Sequence, residues 1–165
     1  MKDFPVTDLA ISLQEAVEFV WAEADMLDAC DYDAWLALWG DGGHYVIPIE
    51  KTGDDFANML NIAYDDAAMR KMRVERLQGG FSISAAPPAQ TVRTLSRFVA
   101  EAVDDTTITL RCAEHVVEDK FGRQRIFAVN LTYTLVRSET GIAIRDKVAR
   151  LLNSNGVLTS ISYLF

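Results

Sequence analysis

The stretch "DACDYDAWLALWGDGGHYVIPIE", residues 28–50, holds three side chains suited to moving protons: Asp41, His44 and Tyr45. General acid/base catalysis needs one titrating group in a dry pocket with a hydrogen-bonding partner, and a histidine near a carboxylate meets that need. Tyr64, Arg97 and Asp146 join the set if the chain forms a cone whose interior they face. Each also has a structural explanation. Asp41 follows a helix end and suits a turn. Tyr45 and Tyr64 suit half-buried strand positions, and Asp146 lies between Arg145 and Lys147, where an ion pair accounts for it. The residues alone leave both readings open.

Other chemistries find less support. A mononuclear metal site needs three or four convergent His, Cys or carboxylate ligands. The two histidines, His44 and His115, fall in different expected strands. Cys112-Ala-Glu-His115 has the C-x-x-H spacing of half a Rieske iron–sulfur site, but Cys30 is followed by Asp31 and Tyr32, so the C-x-H half is missing. Side chains three apart on a strand also point to opposite faces. No metal is therefore expected on this chain, and both cysteines read as buried, reduced thiols. The serines, Ser82, Ser84 and Ser96 among them, lack a G-x-S-x-G elbow, and no glycine-rich loop joins a strand to a helix as a phosphate cradle.

Composition narrows the classes further. The 165 residues suit one domain, 1–165, with half of them hydrophobic and a net charge of −8. That balance argues against nucleic acid, whose binding draws on cationic contacts to phosphate. No apolar run reaches membrane-spanning length. "MKDFPVTDLAISLQEAVEF" has a lone Lys2 and acids where a signal peptide is basic and then apolar, so the expected location is the cytoplasm.

The elements that must position these residues follow from periodicity. Leu13, Val17, Val20, Ala24 and Leu27 recur at helical spacing, with Glu15, Glu18, Glu23 and Asp25 largely off that stripe. Asp31 or Asp33 can cap a short second helix carrying Trp35, Leu36, Leu38 and Trp39, which the glycines at 40, 42 and 43 end. "HYVIPIE" reads as a strand, placed at a sheet edge by Pro48, which cannot donate to a ladder. "MLNIAY" is a second short strand. Asp65 or Asp66 caps a basic helix, "AAMRKMRVERLQ", whose Arg70, Lys71, Arg73 and Arg76 read as a solvated face by default.

After residue 90 the texture becomes β. "TVRTLSRFVAEAV", "TTITLRCAEHVVE", "RIFAVNLTYTLVR" and "GIAIRDKVARLL" are rich in Val, Ile, Thr and Tyr, and the third alternates cleanly between apolar and polar. Turns at residues 119–123 and 138–141 link them as hairpins. Helices first and hairpin-linked strands afterwards predict an α+β fold, a strongly curved antiparallel sheet wrapped around N-terminal helices. Such a cone leaves a cavity at its wide end.

Four segments carry a resemblance: "EADMLDACDYDAWLALWGDGGHYVIPI", "NIAYDDAAMRKMRVERL", "PPAQTVRTLSRF" and "YTLVRSETGIAIRDKVARLL", together with the apolar "VLTSISYLF". Over nearly its full length the chain resembles the small (β) subunit of Rieske-type aromatic ring-hydroxylating dioxygenases, within the cone-shaped nuclear-transport-factor-like superfamily. Ile62-Ala-Tyr-Asp-Asp66 running to Arg76-Leu77, then Pro87-Pro88 and Thr91 to Arg97, is its most specific part. The chain departs from the family's pattern at Ser96-Arg97, where Ser-Asn is common, and in "GGFSISAAPP", where Phe81 has no nearby acid.

The resemblance implies a non-catalytic role in aromatic-compound catabolism. The Rieske cluster and mononuclear iron belong to a large (α) partner subunit, and three large and three small subunits usually form a hexamer. The large subunit adds both atoms of O2 to an aromatic ring, giving a cis-dihydrodiol, with electrons from NAD(P)H. No cofactor is then expected on this chain. Arg73, Arg76, Arg93, Arg97, Trp35 and Trp39 become candidate contacts with the large subunit or with further copies of this chain, since arginine and aromatics are favoured at interfaces, while Trp35 and Trp39 read equally as core anchors. Two alternatives share the fold: an autonomous enzyme similar to ketosteroid isomerase or scytalone dehydratase, using Asp41, His44 or Asp146 with Tyr45 beside them, and a homo-oligomeric small-molecule-binding module. Fold cannot separate these; the site must.

Overall fold

A computed structural model describes residues 9–79, 89–152 and 164–165. Phe81, Ser82, Ser84, Pro87-Pro88 and most of "VLTSISYLF" lie outside them. Helix α1 (Leu13–Asp28) opens on a capping box. Ser12 Oγ accepts from the Glu15 N–H at 3.2 Å, and the Ser12 N–H donates to the Glu15 carboxylate at 2.9 Å. The expected stripe is buried from Val17 to Leu27, although Leu13 at its start is exposed. Glu23 lies on that stripe, three residues after Val20 and four before Leu27, and is also buried.

Helix α2 (Tyr32–Ala37) is capped by Asp31, whose carboxylate accepts from the Ala34 N–H at 3.2 Å. It ends sooner than the spacing predicts. Leu38 and Trp39 lie past it, and the Leu38 carbonyl accepts from the Ile144 N–H at 2.8 Å. Helix α3 (Ala67–Gly79) follows Asp66, whose carboxylate accepts from the Met69 N–H at 2.9 Å. Its basic face is not wholly solvated: Arg70 is buried, donates to the Asp65 and Gly43 carbonyls, and lies 4.0 Å from the centre of the Trp39 ring.

The strands are β1 (Tyr45–Pro48), β2 (Asn61–Asp65), β3 (Gln90–Val103), β4 (Thr107–Lys120), β5 (Arg123–Ser138) and β6 (Gly141–Leu151). They form one six-stranded sheet in the order β2-β1-β6-β5-β4-β3. All pairings are antiparallel except β1 with β6. Pro48 therefore does not mark an edge, because β1 lies between β2 and β6. It sits at the last position of β1, where the register with β2 shifts, so its missing N–H breaks no regular ladder. Phe127, Val129, Leu131, Tyr133 and Leu135 of β5 are buried, as their alternation predicts, and the helices cover this concave face.

One bulge decides which β6 residues face the core. Leu135 pairs with Ile144 and Thr134 with Asp146, so Arg145 is the extra residue. Residues three apart on a regular strand face opposite sides, but here Ile144 and Lys147 both point inward, 0% and 1% exposed. The bulged Arg145 carbonyl presses against Gly43, where an added Cβ would lie 1.7 Å from that oxygen. Gly43 has φ +67, and neighbouring Gly42 has φ +75 with nothing within 4 Å of an added Cβ.

The two glycines thus separate backbone strain from close approach. Gly42→Ala should cost only the left-handed penalty, about 1–2 kcal/mol. Gly43→Ala must also displace the bulge and should cost at least about 3 kcal/mol. Urea unfolding of both variants measures the difference.

Candidate functional site

The concave side of the sheet holds a buried polar network centred on Glu23. Lys147 Nζ donates to Glu23 Oε1 at 2.5 Å, and Trp35 Nε1 donates to the same oxygen at 3.0 Å. The Tyr133 hydroxyl donates to Glu23 Oε2 at 2.7 Å. Burial, and then the adjacent carboxylate, hold the Tyr133 phenol well above its ordinary pKa, so it remains a donor. Helices α1 and α2 are thereby tied to β5 and β6 through one carboxylate. Burial also pushes the Cys112 thiol up to about 12, which makes it an inert core group.

A second group lies towards β3. The Arg93 guanidinium is fully buried and pairs with Asp28, while its Nε lies 3.7 Å from Glu114 Oε1. It also donates to the Leu164 carbonyl. Burial raises the Glu114 carboxyl pKa against the opposing pull of Lys147 and Arg93, and Glu114 Oε2 accepts no hydrogen bond among the described residues. Leu164 and Phe165 fill the remaining space. The Phe165 N–H donates to the Tyr45 hydroxyl at 3.0 Å, and its ring meets Phe127 edge-on at 5.7 Å.

The expected acid/base residues do not gather inside the cone. Only Tyr45 faces inward, wholly buried and with its pKa raised by burial. His44, Tyr64 and Asp146 lie on the outer face of the sheet, and Asp41 is exposed at a separate surface hollow. His44 stacks on Tyr64 with ring centres 4.3 Å apart, and its backbone N–H donates to Asp146 Oδ1 at 3.0 Å. The expected Asp146 ion pair forms with Arg145, at 3.1 Å, while Lys147 turns inward to Glu23. His44, Tyr64 and Asp146 line an open cleft of about 370 Å³ with Asp54, Asp55 and Phe56. The cause is strand alternation: His44 and Tyr45 are neighbours and must face opposite sides.

The interface candidates divide. Trp35 and Arg93 are 0% exposed as side chains and so leave the surface set: Trp35 takes the core alternative, and for Arg93 this corrects the expectation of a subunit contact. Arg93 is drawn inward because its position on β3 faces Glu114 and Asp28. Arg73 is half-buried and bonded to Asp65 at 2.5 Å. Trp39 is partly buried against Trp35 and Tyr45. Arg76 is exposed. Arg97 is exposed too, at a β3 bulge with φ 56, and its guanidinium reaches Asn130 Oδ1 at 2.7 Å. Cys30, expected to be buried, is exposed just past the end of α1. Cys112 and His115 do face opposite sides of β4, one buried and one exposed.

Sequence reasoning missed Glu23, Glu114 and Lys147. The first two carried a signal: Glu23 lies on the apolar stripe of α1, and Glu114 shares the inward phase of Leu110, Cys112 and Val116. Lys147 did not, because the Arg145 bulge resets its phase. Among the described residues no three His, Cys, Asp or Glu side chains form a group that could hold a metal ion, and no helix is long and apolar enough to cross a membrane.

A curved sheet closed by N-terminal helices defines the cone class, and here its centre is filled. Among solved structures, an NTF2-like protein with a cystatin-like fold from Novosphingobium aromaticivorans matches with TM-score 0.58 and 16% identity, covering 85% of this chain and 81% of its own. The beta subunit of benzoate 1,2-dioxygenase from Burkholderia mallei matches with TM-score 0.78 and 21% identity, covering 93% and 98%. These likenesses show the fold. The family model for the ring hydroxylating beta subunit matches residues 22–156, and the chain belongs to that family. Among curated relatives, the anthranilate 1,2-dioxygenase small subunit of Acinetobacter baylyi is 25% identical over 151 residues, 88% of this chain and 93% of that one. The benzene 1,2-dioxygenase subunit beta of Pseudomonas putida is 29% identical over 172 residues, 95% and 91% of the two chains.

Two predictions follow from the buried groups. Lys147→Met strands the Glu23 carboxylate in the core and should cost about 3–5 kcal/mol, whereas Glu23→Leu combined with Lys147→Met should recover most of that loss. A double-mutant cycle in urea tests this. Between the ordinary glutamate pKa and the raised value of Glu114, the folded chain keeps a proton that the unfolded chain has released. This residue's contribution therefore makes stability fall as pH rises through that window. Glu114→Gln should remove that part of the slope, read from urea midpoints between about pH 5 and about pH 8.

Proposed function

We propose that this chain is the non-catalytic β subunit of an aromatic ring-hydroxylating dioxygenase. It supports a large subunit that carries a Rieske cluster and a mononuclear iron, in an assembly of three large and three small subunits in the cytoplasm. Addition of both oxygen atoms of O2 to the ring takes place on the large subunit.

The observation that carries this reading is the filled cone. The space in which a cone-fold enzyme would enclose a substrate is taken by Trp35, Tyr45, Tyr133, Lys147 and Phe165, each at most 1% exposed. Their polar atoms are turned to one another. Glu23 is held by Lys147, Trp35 and Tyr133, so it is a structural anchor rather than a free base. Membership of the β-subunit family supports the same reading. The outer cleft at His44 and Asp146 is open to solvent, a setting that does little to exclude water from a reaction. Arg76 and Arg97, with the less exposed Arg73 and Trp39, are the proposed contact residues.

Co-expression with the large subunit tests the assignment. A stable complex should form, with iron bound by the large chain, and Arg76→Glu with Arg97→Glu should weaken association about tenfold or more. His44→Ala and Asp146→Asn should leave kcat per assembled complex within about twofold, since neither group handles a proton in the reaction. A small subunit that forms its own oligomer and ignores the large chain would overturn the reading.

A further inference from the structure

The Leu164–Phe165 peptide is held at both ends by side chains of the sheet rather than by a backbone ladder. Neither residue lies in a helix or strand, yet they are 1% and 0% exposed. Their shared peptide unit is gripped at both ends: Arg93 Nη2 donates to the Leu164 carbonyl, and the Phe165 N–H donates to the Tyr45 hydroxyl at 3.0 Å. The Phe165 ring then meets Phe127 edge-on, with an interplanar angle of 75°. The three gripping groups come from β3, β1 and β5.

Those groups are themselves held by other parts of the fold. Arg93 is fixed by Asp28, and Tyr45 packs against Trp35 with ring centres 5.7 Å apart. Phe127 is paired with Val116 in the β4–β5 ladder. Each wall thus has a holder besides Leu164–Phe165. We propose that the cone contains a binding site for an aryl-alkyl amide, a single aromatic ring two carbons from a secondary amide, and that the protein's own Leu164–Phe165 peptide occupies it. The guanidinium takes the amide carbonyl, the Tyr45 hydroxyl takes the amide N–H, and Phe127 receives the ring edge. Because the occupant is tethered, its effective concentration is high and it excludes a weak ligand from the intact chain.

Thermal melts of the full-length chain, carried in two variants, decide the matter. Phe165→Ala empties only the ring slot, and benzene at about ten times its Kd should raise its Tm by about 3–6 °C while leaving the unmutated protein unmoved. A chain ended after Tyr163 frees the amide grip as well. It should bind N-(2-phenylethyl)acetamide at least about tenfold more tightly than the cyclohexyl analogue, an energy difference within reach of an aromatic contact. If Phe165→Ala melts without cooperativity, benzene should restore a cooperative transition. A folded Phe165→Ala that ignores benzene, an unfolded one that benzene does not rescue, an equal shift in the unmutated protein, or a shortened chain that does not prefer the aryl amide would each overturn the site.

Discussion

The carboxylate of Glu23 is the constraint around which the rest of this molecule is arranged. An unpaired charge in a core is too costly to keep, so the fold must bring it donors. Lys147 arrives from β6, Trp35 from α2 and Tyr133 from β5, each at hydrogen-bonding distance. Meeting that demand fixes how α1 lies across the sheet and which way β6 is phased. The Arg145 bulge exists in the same frame, since Lys147 could not otherwise share a face with Ile144. Gly43 is required in turn, because the bulged carbonyl occupies the place of a side chain.

This arrangement also accounts for what the cone does not offer. The fold can enclose a small molecule, but here Trp35, Tyr45, Tyr133 and the Leu164–Phe165 peptide occupy the enclosed volume. The polar groups inside serve one another. Histidine and carboxylate instead meet on the outer face, where His44 stacks on Tyr64 and its backbone N–H is held by Asp146. The opening suspicion about Asp41, His44 and Tyr45 thus resolves into three different places. One side chain is in the core, one lines an outer cleft, and one lies exposed at another hollow.

Much of the architecture was legible. The caps at Asp31 and Asp66, each one of two candidates, and the clean alternation of β5 are local signals written within a few residues, and each appears among the positions read for it. The capping box at Ser12 is equally local but went unread. Glu23 and Glu114 were legible in principle, as acids in phase with apolar neighbours. Composition hid them, because surface acids are common in this chain. Arg93 was placed at a surface by residue type, and Trp35 was left between core and interface, because residue type describes tendencies of interfaces and not the direction of one side chain. Pro48 was read as an edge marker, whereas a register shift at a strand end gives proline the same freedom.

The sequence by itself determined the elements and their order, the inward face of β5, and the resemblance to a dioxygenase small subunit. Those properties follow from spacings of two to four residues and from segment identity. Only the tertiary structure decided that β1 lies inside the sheet, that Lys147 turns inward, and that Phe165 reaches Tyr45 across 120 positions of chain. The reason is physical. A bulge shifts the phase of everything after it, a parallel pairing such as β1 with β6 has no local turn to announce it, and the partner of a buried charge is chosen by packing rather than by distance along the chain.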